Sequence, residues 1–420
     1  MTWLKRPAHA RWLEAETDRL LDFARASRRP AGGFGWLDTQ GRLDPAHPVH
    51  LWITCRMTHV FALGTLLGRP GCRPLVGHGV AALTGMLHDD EHGGWFASAD
   101  DDGPVSVTKE AYGHAFVVLG ASSAVLAGAA GAQALLTEAL RVVDERFWRE
   151  DDGMVVDSYD RAWTAADPYR GVNANMHLVE ALLAAADVTA DPGRLDQALR
   201  VADKVMGFAR TTGWMIPEHF DSAWQPLLEY NAETPADQFR PYGVTVGHGL
   251  EWSRLLLHLD AALDAAADPG GAGDHGRTGA PAWLWEAARG LFAAATTHGW
   301  AVDGHPGFVY THGWDGVPVV RERMHWVAAE AVGAAATLAR VTGEPEYSTW
   351  YETWWDYVAT YVVDRAGGSW WHELDPQGRP SSTVWDGKSD AYHALQATLI
   401  PRLPAAPSLA SALARGLLDA

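Results

Sequence analysis

Five pairs of residues stand at helical spacing and carry groups able to bind a polar ligand or move a proton. Trp52 and Arg56, Asn173 and His177, and Trp326 and Glu330 lie four positions apart; His248 and Glu251, and Asp390 and His393, lie three apart. A sixth, tighter pair is Tyr112 and His114. Separations of three and four place both side chains on one helix face. Imidazoles titrate near neutrality, so several histidines beside an arginine and a few carboxylates suit general acid–base chemistry.

Other chemistries find less support. There is no H-E-x-x-H motif, and Cys55 and Cys72 are the only cysteines, too few for a cysteine zinc cluster. The run His88-Asp89-Asp90-Glu91-His92 has the composition of a ligand cluster, but it directly precedes a turn and reads as a solvated helix end. No P-loop, dinucleotide fingerprint or G-x-S-x-G elbow is present. The expectation is a site without metal or cofactor. Two enzyme classes remain: a sugar isomerase or epimerase that removes a proton beside a carbonyl, and a glycoside hydrolase using Glu251 and Glu330. The majority of histidines favours the first. A non-catalytic sugar-binding protein would not need histidines on opposite walls. His59 reads as a core histidine, and Glu330 has a second reading as the anchor of an arginine.

The elements that must hold these residues repeat. Gly33-Phe34-Gly35-Trp36, Gly94-Trp95-Phe96, Gly153-Met154-Val155-Val156, Gly213-Trp214-Met215-Ile216, Gly307-Phe308-Val309-Tyr310 and Gly368-Ser369-Trp370-Trp371 recur with gaps of 61, 59, 60, 94 and 61 residues. Each reads as a turn followed by a strand, making short hairpins. The long gap holds a Pro/Gly-rich insertion, Asp268 to Pro281, and an irregular stretch from Ser222 to Val246. Between hairpins the pattern is helical, as in residues 175–187. Some helices are amphipathic, such as residues 194–208; others, such as 117–127, are apolar nearly all round. Six units of two helices, half-buried and fully buried in turn, predict an all-α, (α/α)6 toroid of twelve helices with hairpins at one rim, as one catalytic domain over residues 1–420. A linear solenoid is the alternative. In a closed ring all inner helices start at one rim. This brings Trp52, Arg56, Tyr112, Asn173, His177, His248, Glu251, Trp326, Glu330 and His393 to one funnel, where helix N-termini add positive potential and the hairpins could add His372.

Composition narrows the partners. The formal charge of −19 argues against nucleic acid. The 21 tryptophans in 420 residues suit apolar sugar faces or a packed core. Met1 to Arg29 shows no apolar signal-peptide core, and the two cysteines fit a reducing compartment, so a cytoplasmic location is expected. Ala111 to Thr137 carries no Lys, Arg, Asp or Glu and is long enough to span a bilayer. It is rich in small residues, and Gly128 to Gly131 divides it into two buried helices, so no membrane partner is expected. The expected partner is one small monosaccharide; a homo-oligomer is left open.

Long ordered segments carry a family resemblance. They are RWLEAETDRLLDFA at 11–24, HLWITCRMTHV at 50–60, YRGVNANMH at 169–177, GHGLEW at 247–252, VVRERMHW at 319–326, GSWWHELD at 368–375 and VWDGKSDAYH at 384–393. Across nearly its whole length the chain resembles the N-acylglucosamine 2-epimerase superfamily, closest to the aldose–ketose isomerase branch of mannose and sulfoquinovose isomerases. The resemblance implies an (α/α)6 barrel. It also implies that His248 and His393 are the acid–base pair, that Arg56 contacts substrate oxygens, and that His177 and Glu251 complete the polar shell. Gln238 stands where the sulfoquinovose enzymes place arginine, and His372 where they place glutamine, both near the substrate C6 group. Losing that cation tilts the expectation towards a neutral C6 hydroxyl, as in mannose, with Arg240 near enough to compensate. The implied reaction interconverts D-mannose and D-fructose through a cis-enediolate, with 2-epimerisation and sulfoquinovose isomerisation as alternatives.

Overall fold

The computed structural model describes residues 2–267 and 279–419. Twelve helices alternate between an outer and an inner layer. The outer ones are α1 (Pro7–Ala24), α3 (Cys72–Leu83), α5 (Ala132–Val142), α7 (Gly193–Thr211), α9 (Trp283–Gly299) and α11 (Pro345–Tyr357). The inner ones are α2 (Leu51–Leu66), α4 (Ala111–Leu126), α6 (Val172–Thr189), α8 (Val246–Ala267), α10 (His325–Thr342) and α12 (Tyr392–Leu399). Inner helices bury every face. All of α4 except Tyr112, Val125 and Leu126 is buried, whereas α5 buries one stripe through Leu135, Leu136, Ala139 and Leu140. Small residues let the inner helices approach closely. A Cβ on Gly120 would stand 3.0 Å from the Cys55 carbonyl oxygen, so α2 and α4 pack almost backbone to backbone.

The ring closes. Each inner helix packs on the next, and α12 returns to α2 and α1. Thr17 and Thr398 share a 2.7 Å hydrogen bond across the closure, and the Lys388 N–H donates to the Leu37 carbonyl at 2.8 Å. This is the (α/α)6 toroid; a solenoid would leave those partners apart.

The rim is built from two-residue antiparallel ladders. The residues entering an inner helix pair with the following connection: Val49–His50 with Ser98–Ala99, Lys109–Glu110 with Ser158–Tyr159, and Arg170–Gly171 with His219–Phe220. Val244–Thr245 pairs with Thr311–His312, and Arg323–Met324 with Glu373–Leu374. These ladders fix where each inner helix begins, and so where its first turn points.

Buried ion pairs fasten three connections in the same way. Lys109 Nζ donates to Asp89 at 2.8 Å and to the Gly93 carbonyl at 2.9 Å. Lys388 Nζ donates to Asp364 at 2.6 Å and to the Gly368 carbonyl at 2.8 Å. Arg323 pairs with Asp303 at 2.6 Å. In each case a hairpin aspartate holds the cation that stands just before the next inner helix.

Several expectations need correction. Residues 88–92 are not a solvated helix end: Asp89 is wholly buried between Lys109 and Arg161, and only its neighbours reach solvent. The charge-free stretch does split at 127–131, but only its first helix is buried all round. Most glycine segments make a single β-bridge, and Gly213–Ile216 makes none. A thirteenth helix, α13 (Leu409–Ala414), packs on α2, α4 and α6 and closes the end opposite the rim. The insertion at 268–281 lies, but for its last three residues, outside the described residues. Among the described residues no helix is long and apolar enough to cross a membrane.

Replacing Asp89 with Asn leaves the Lys109 ammonium buried without its counter-charge. Breaking such a pair costs about 3–5 kcal/mol, which urea unfolding would register. A loss below about 1 kcal/mol would contradict the structural role given to the pair.

Candidate active site

Two histidines face one pocket at the rim, each held from behind by a glutamate. His248, in the first turn of α8, places Nδ1 2.9 Å from Glu218 Oε1. His393, in the first turn of α12, places Nδ1 2.8 Å from Glu330 Oε1 on α10. A carboxylate can only accept, so Nδ1 donates in both pairs. Nε2, on the far edge of each ring, is then the lone-pair nitrogen left for a ligand. Trp326 stands between them, its ring 5.2 Å from His248 and 5.7 Å from His393. Gly247 makes room for it: a Cβ there would lie 2.3 Å from the indole. An indole between two imidazoles presents a flat, largely apolar face to the pocket.

Below them the floor carries paired charges. Arg56 meets Asp390 at 3.2 Å and donates to the Tyr112 hydroxyl at 2.9 Å, while its Nε has no protein partner. Burial opposes ionisation of Asp390, but Arg56 and His393 outweigh it and hold the carboxyl below its usual range. His177 Nδ1 lies 3.7 Å from Glu251 Oε1. Burial, then Arg56, pushes both His393 and His177 well below the ordinary histidine value, so both rings are neutral at neutral pH. Glu251 goes the other way: burial, then the neighbouring Glu330 charge, raises its pKa well above the ordinary glutamate value. Both its oxygens lack a protein hydrogen bond. Arg254 sits among these carboxylates, 3.0 Å from Glu330 and 3.8 Å from Glu251. Glu251, Glu330 and His393 offer atoms close enough together to share a cation. The guanidinium already supplies that positive charge.

The predicted site residues fall into three zones. His393, His248, Arg56, His177, Glu251, Tyr112, Asn173, Trp326, His372 and Gln238 line the inner pocket. Trp52 and Arg240 line an outer cleft of about 770 Å³ that leads into it. Tyr112, Asn173, Gln238 and Phe239 line both, at the neck where the two meet. Glu330, expected to contact a ligand, lines neither: it lies behind the wall, one oxygen on His393 and the other on Arg254. Arg240, in the outer cleft, is latched to Asp157 at 2.8 Å and lies 3.9 Å over the Tyr169 ring. His114 turns away, held by the Glu110 carbonyl and the Trp95 N–H. His59 is a core histidine, bonded to Ser123 at 2.7 Å. Asp390 lies ahead of α12 rather than on it, and accepts from the Tyr392 N–H at 2.8 Å.

Sequence reasoning missed Glu218, Arg254 and His325. Arg254 follows Glu251 by three positions, a spacing that could have found it. His325 precedes Trp326 and stacks on His372, centroids 3.8 Å apart, with both Nε2 atoms unpartnered. Glu218 sits in a connection with no periodic signal.

Residues 32–397 match the signature of the N-acylglucosamine 2-epimerase (GlcNAc 2-epimerase) family. The chain is 53% identical over 415 residues to a D-mannose isomerase of Thermobifida fusca, covering 98% of each chain. It is 50% identical over 415 residues to one from Pseudomonas cannabina pv. alisalensis, covering 98% of this chain and 97% of that one. A crystal structure of D-mannose isomerase superimposes with a TM-score of 0.85 at 27% identity, covering 94% of this chain and 99% of that chain.

The lowered histidine values have a direct readout. In an NMR titration from pH 8 to pH 6, the His393 and His177 rings are expected to keep neutral-imidazole shifts. A midpoint at or above about 6.5, the ordinary histidine value, would contradict the electrostatics described.

Proposed function

The chain belongs to the N-acylglucosamine 2-epimerase family, and we propose that it is an aldose–ketose isomerase interconverting D-mannose and D-fructose. One observation carries the reading: two glutamate-backed histidines flank one tryptophan platform in a pocket floored by Arg56. The names of the relatives at 50–53% identity support the substrate.

The proposed reaction begins with the closed sugar. His248 Nε2 takes the O1 proton, the C1–O5 bond breaks to leave a C1 carbonyl, and the same proton passes to O5. His393 Nε2 then takes the C2 proton, and the electron pair moves into a C1–C2 double bond with charge on O1. The O2 proton moves to O1, C2–O2 becomes the carbonyl, and His393 returns its proton to C1 on the same face. Arg56 and His177 donate to O1 and O2 as charge develops there, each worth about 3 kcal/mol by the usual cost of deleting such a donor. Burial keeps His393 neutral, the form a base requires.

Charge at the neck supports a neutral C6 group. Gln238 brings no cation, and Arg240 is committed to Asp157. A C6 sulfonate would lack its bidentate partner. The hydrolase alternative loses its geometry. Glu330 is behind the wall and bonded to Arg254, so Glu251 and Glu330 do not flank an open space for a glycosidic bond. Epimerisation at C2 is the second reading, because His248 supplies a second base beside the same tryptophan.

His393→Ala and His248→Ala are each expected to lower D-mannose turnover at least about a hundredfold. Arg56→Met should cost about 3 kcal/mol, or roughly 150-fold, in kcat/KM. A folded His393→Ala enzyme with most of its activity would contradict the mechanism. Activity is expected to survive exhaustive chelation, since Arg254 fills the place of a cation; loss restored by added metal would overturn that.

A further inference from the structure

The two histidine–glutamate pairs differ in what else their carboxylates touch. Glu330 is shared: one oxygen meets His393 and the other accepts from Arg254 Nε at 3.0 Å. Glu218 has no such second partner. Among the described residues no lysine or arginine pairs with it, and its side-chain hydrogen bond goes to His248. Both members of that pair are buried.

We infer that Glu218 is the positioning residue for His248: it keeps the ring proton on Nδ1, turns Nε2 to the pocket, and supplies the counter-charge when His248 holds a substrate proton. The chemical part of this inference rests on the isomerase reading; the geometric part does not.

The surroundings make Glu218 a fixed point. It stands in the connection from α7 to α8, directly before His219–Phe220, which pairs with Arg170–Gly171. Its own carbonyl accepts from the Val172 N–H at 3.1 Å, so its backbone is tied to the start of α6. Trp326 lies 5.2 Å from the His248 ring. The ring is thus confined by the indole, and the bond to Glu218 decides which nitrogen faces the pocket.

The unequal carboxylates divide the labour. A proton on His393 would face a carboxylate already compensated by Arg254, and the other carboxylate beside it, Asp390, is paired with Arg56. A proton on His248 would face a whole carboxylate charge. Opposite charge within hydrogen-bond reach stabilises an imidazolium. His248 is therefore the histidine built to carry a proton between O1 and O5. His393 is the one built to hand its proton straight back to carbon, which favours isomerisation over epimerisation.

The test compares wild type, Glu218→Gln and Glu218→Asp in D-mannose turnover and in the ¹⁵N spectrum of His248. Glu218→Gln keeps the size and loses the charge. It is expected to lower kcat at least about tenfold with KM within about twofold, by analogy with removing the carboxylate behind a catalytic histidine. Glu218→Asp should recover part of kcat. The neutral wild-type His248 should carry its proton on Nδ1, and the Gln variant should show a share on Nε2. Unchanged kcat in a folded Gln variant that still isomerises mannose overturns the inference alone. If the wild type does not act on mannose, the isomerase reading fails, and the ¹⁵N tautomers still test the pairing. Should the Gln variant not fold, the wild-type spectrum decides: a proton on Nε2 overturns the inference.

Discussion

The site depends on one buried guanidinium. Arg254 lies behind the pocket, 3.0 Å from Glu330 and 3.8 Å from Glu251. Two buried carboxylates side by side cannot both stay ionised without a cation. Arg254 offsets the Glu330 charge, and Glu330 in turn hydrogen-bonds His393 Nδ1. Glu251 lies farther from that cation, and burial together with the Glu330 charge raises its pKa well above the ordinary glutamate value. One charge deep in the barrel thus balances both the carboxylate behind a proposed base and the one at the pocket wall.

The toroid supplies the placement. The rim ladders decide where each inner helix starts, and the buried pairs of Lys109 and Lys388 tie the connections that lead into them. The first two turns of different helices then converge. Arg56 comes from α2, Tyr112 from α4, His177 from α6, His248 from α8, Trp326 from α10 and His393 from α12. Helices buried on every side have little freedom to shift, so the geometry is fixed before a ligand arrives. Preorganised donors of this kind are what proton transfer beside a carbonyl requires.

Much of this was legible in the sequence because it is periodic. The sixty-residue repeat gave the ring, and the spacing of Asn173 with His177 or His248 with Glu251 gave the facing side chains. What local patterns could not give were pairings across elements. Glu218 lies in an aperiodic connection, and only the fold brings it to His248. Asp390 looked like a helix residue three positions before His393, yet α12 starts later and leaves it free to meet Arg56. Asp89 looked solvated because its neighbours are charged; its burial depends on Lys109, 20 residues away. The bond from Arg240 to Asp157, 83 residues away, also has no local signal. The resemblance singled out His248 and His393. It did not reveal that their carboxylates are unequal.

The central claim is that one base moves a proton between C2 and C1 on a single face. The most direct test is to incubate chelator-treated protein with D-mannose in D2O and to follow the sugars by proton NMR. The account predicts D-fructose carrying deuterium at C1, with little glucose. D-Glucose deuterated at C2 as the main product, or no fructose at all, would contradict it.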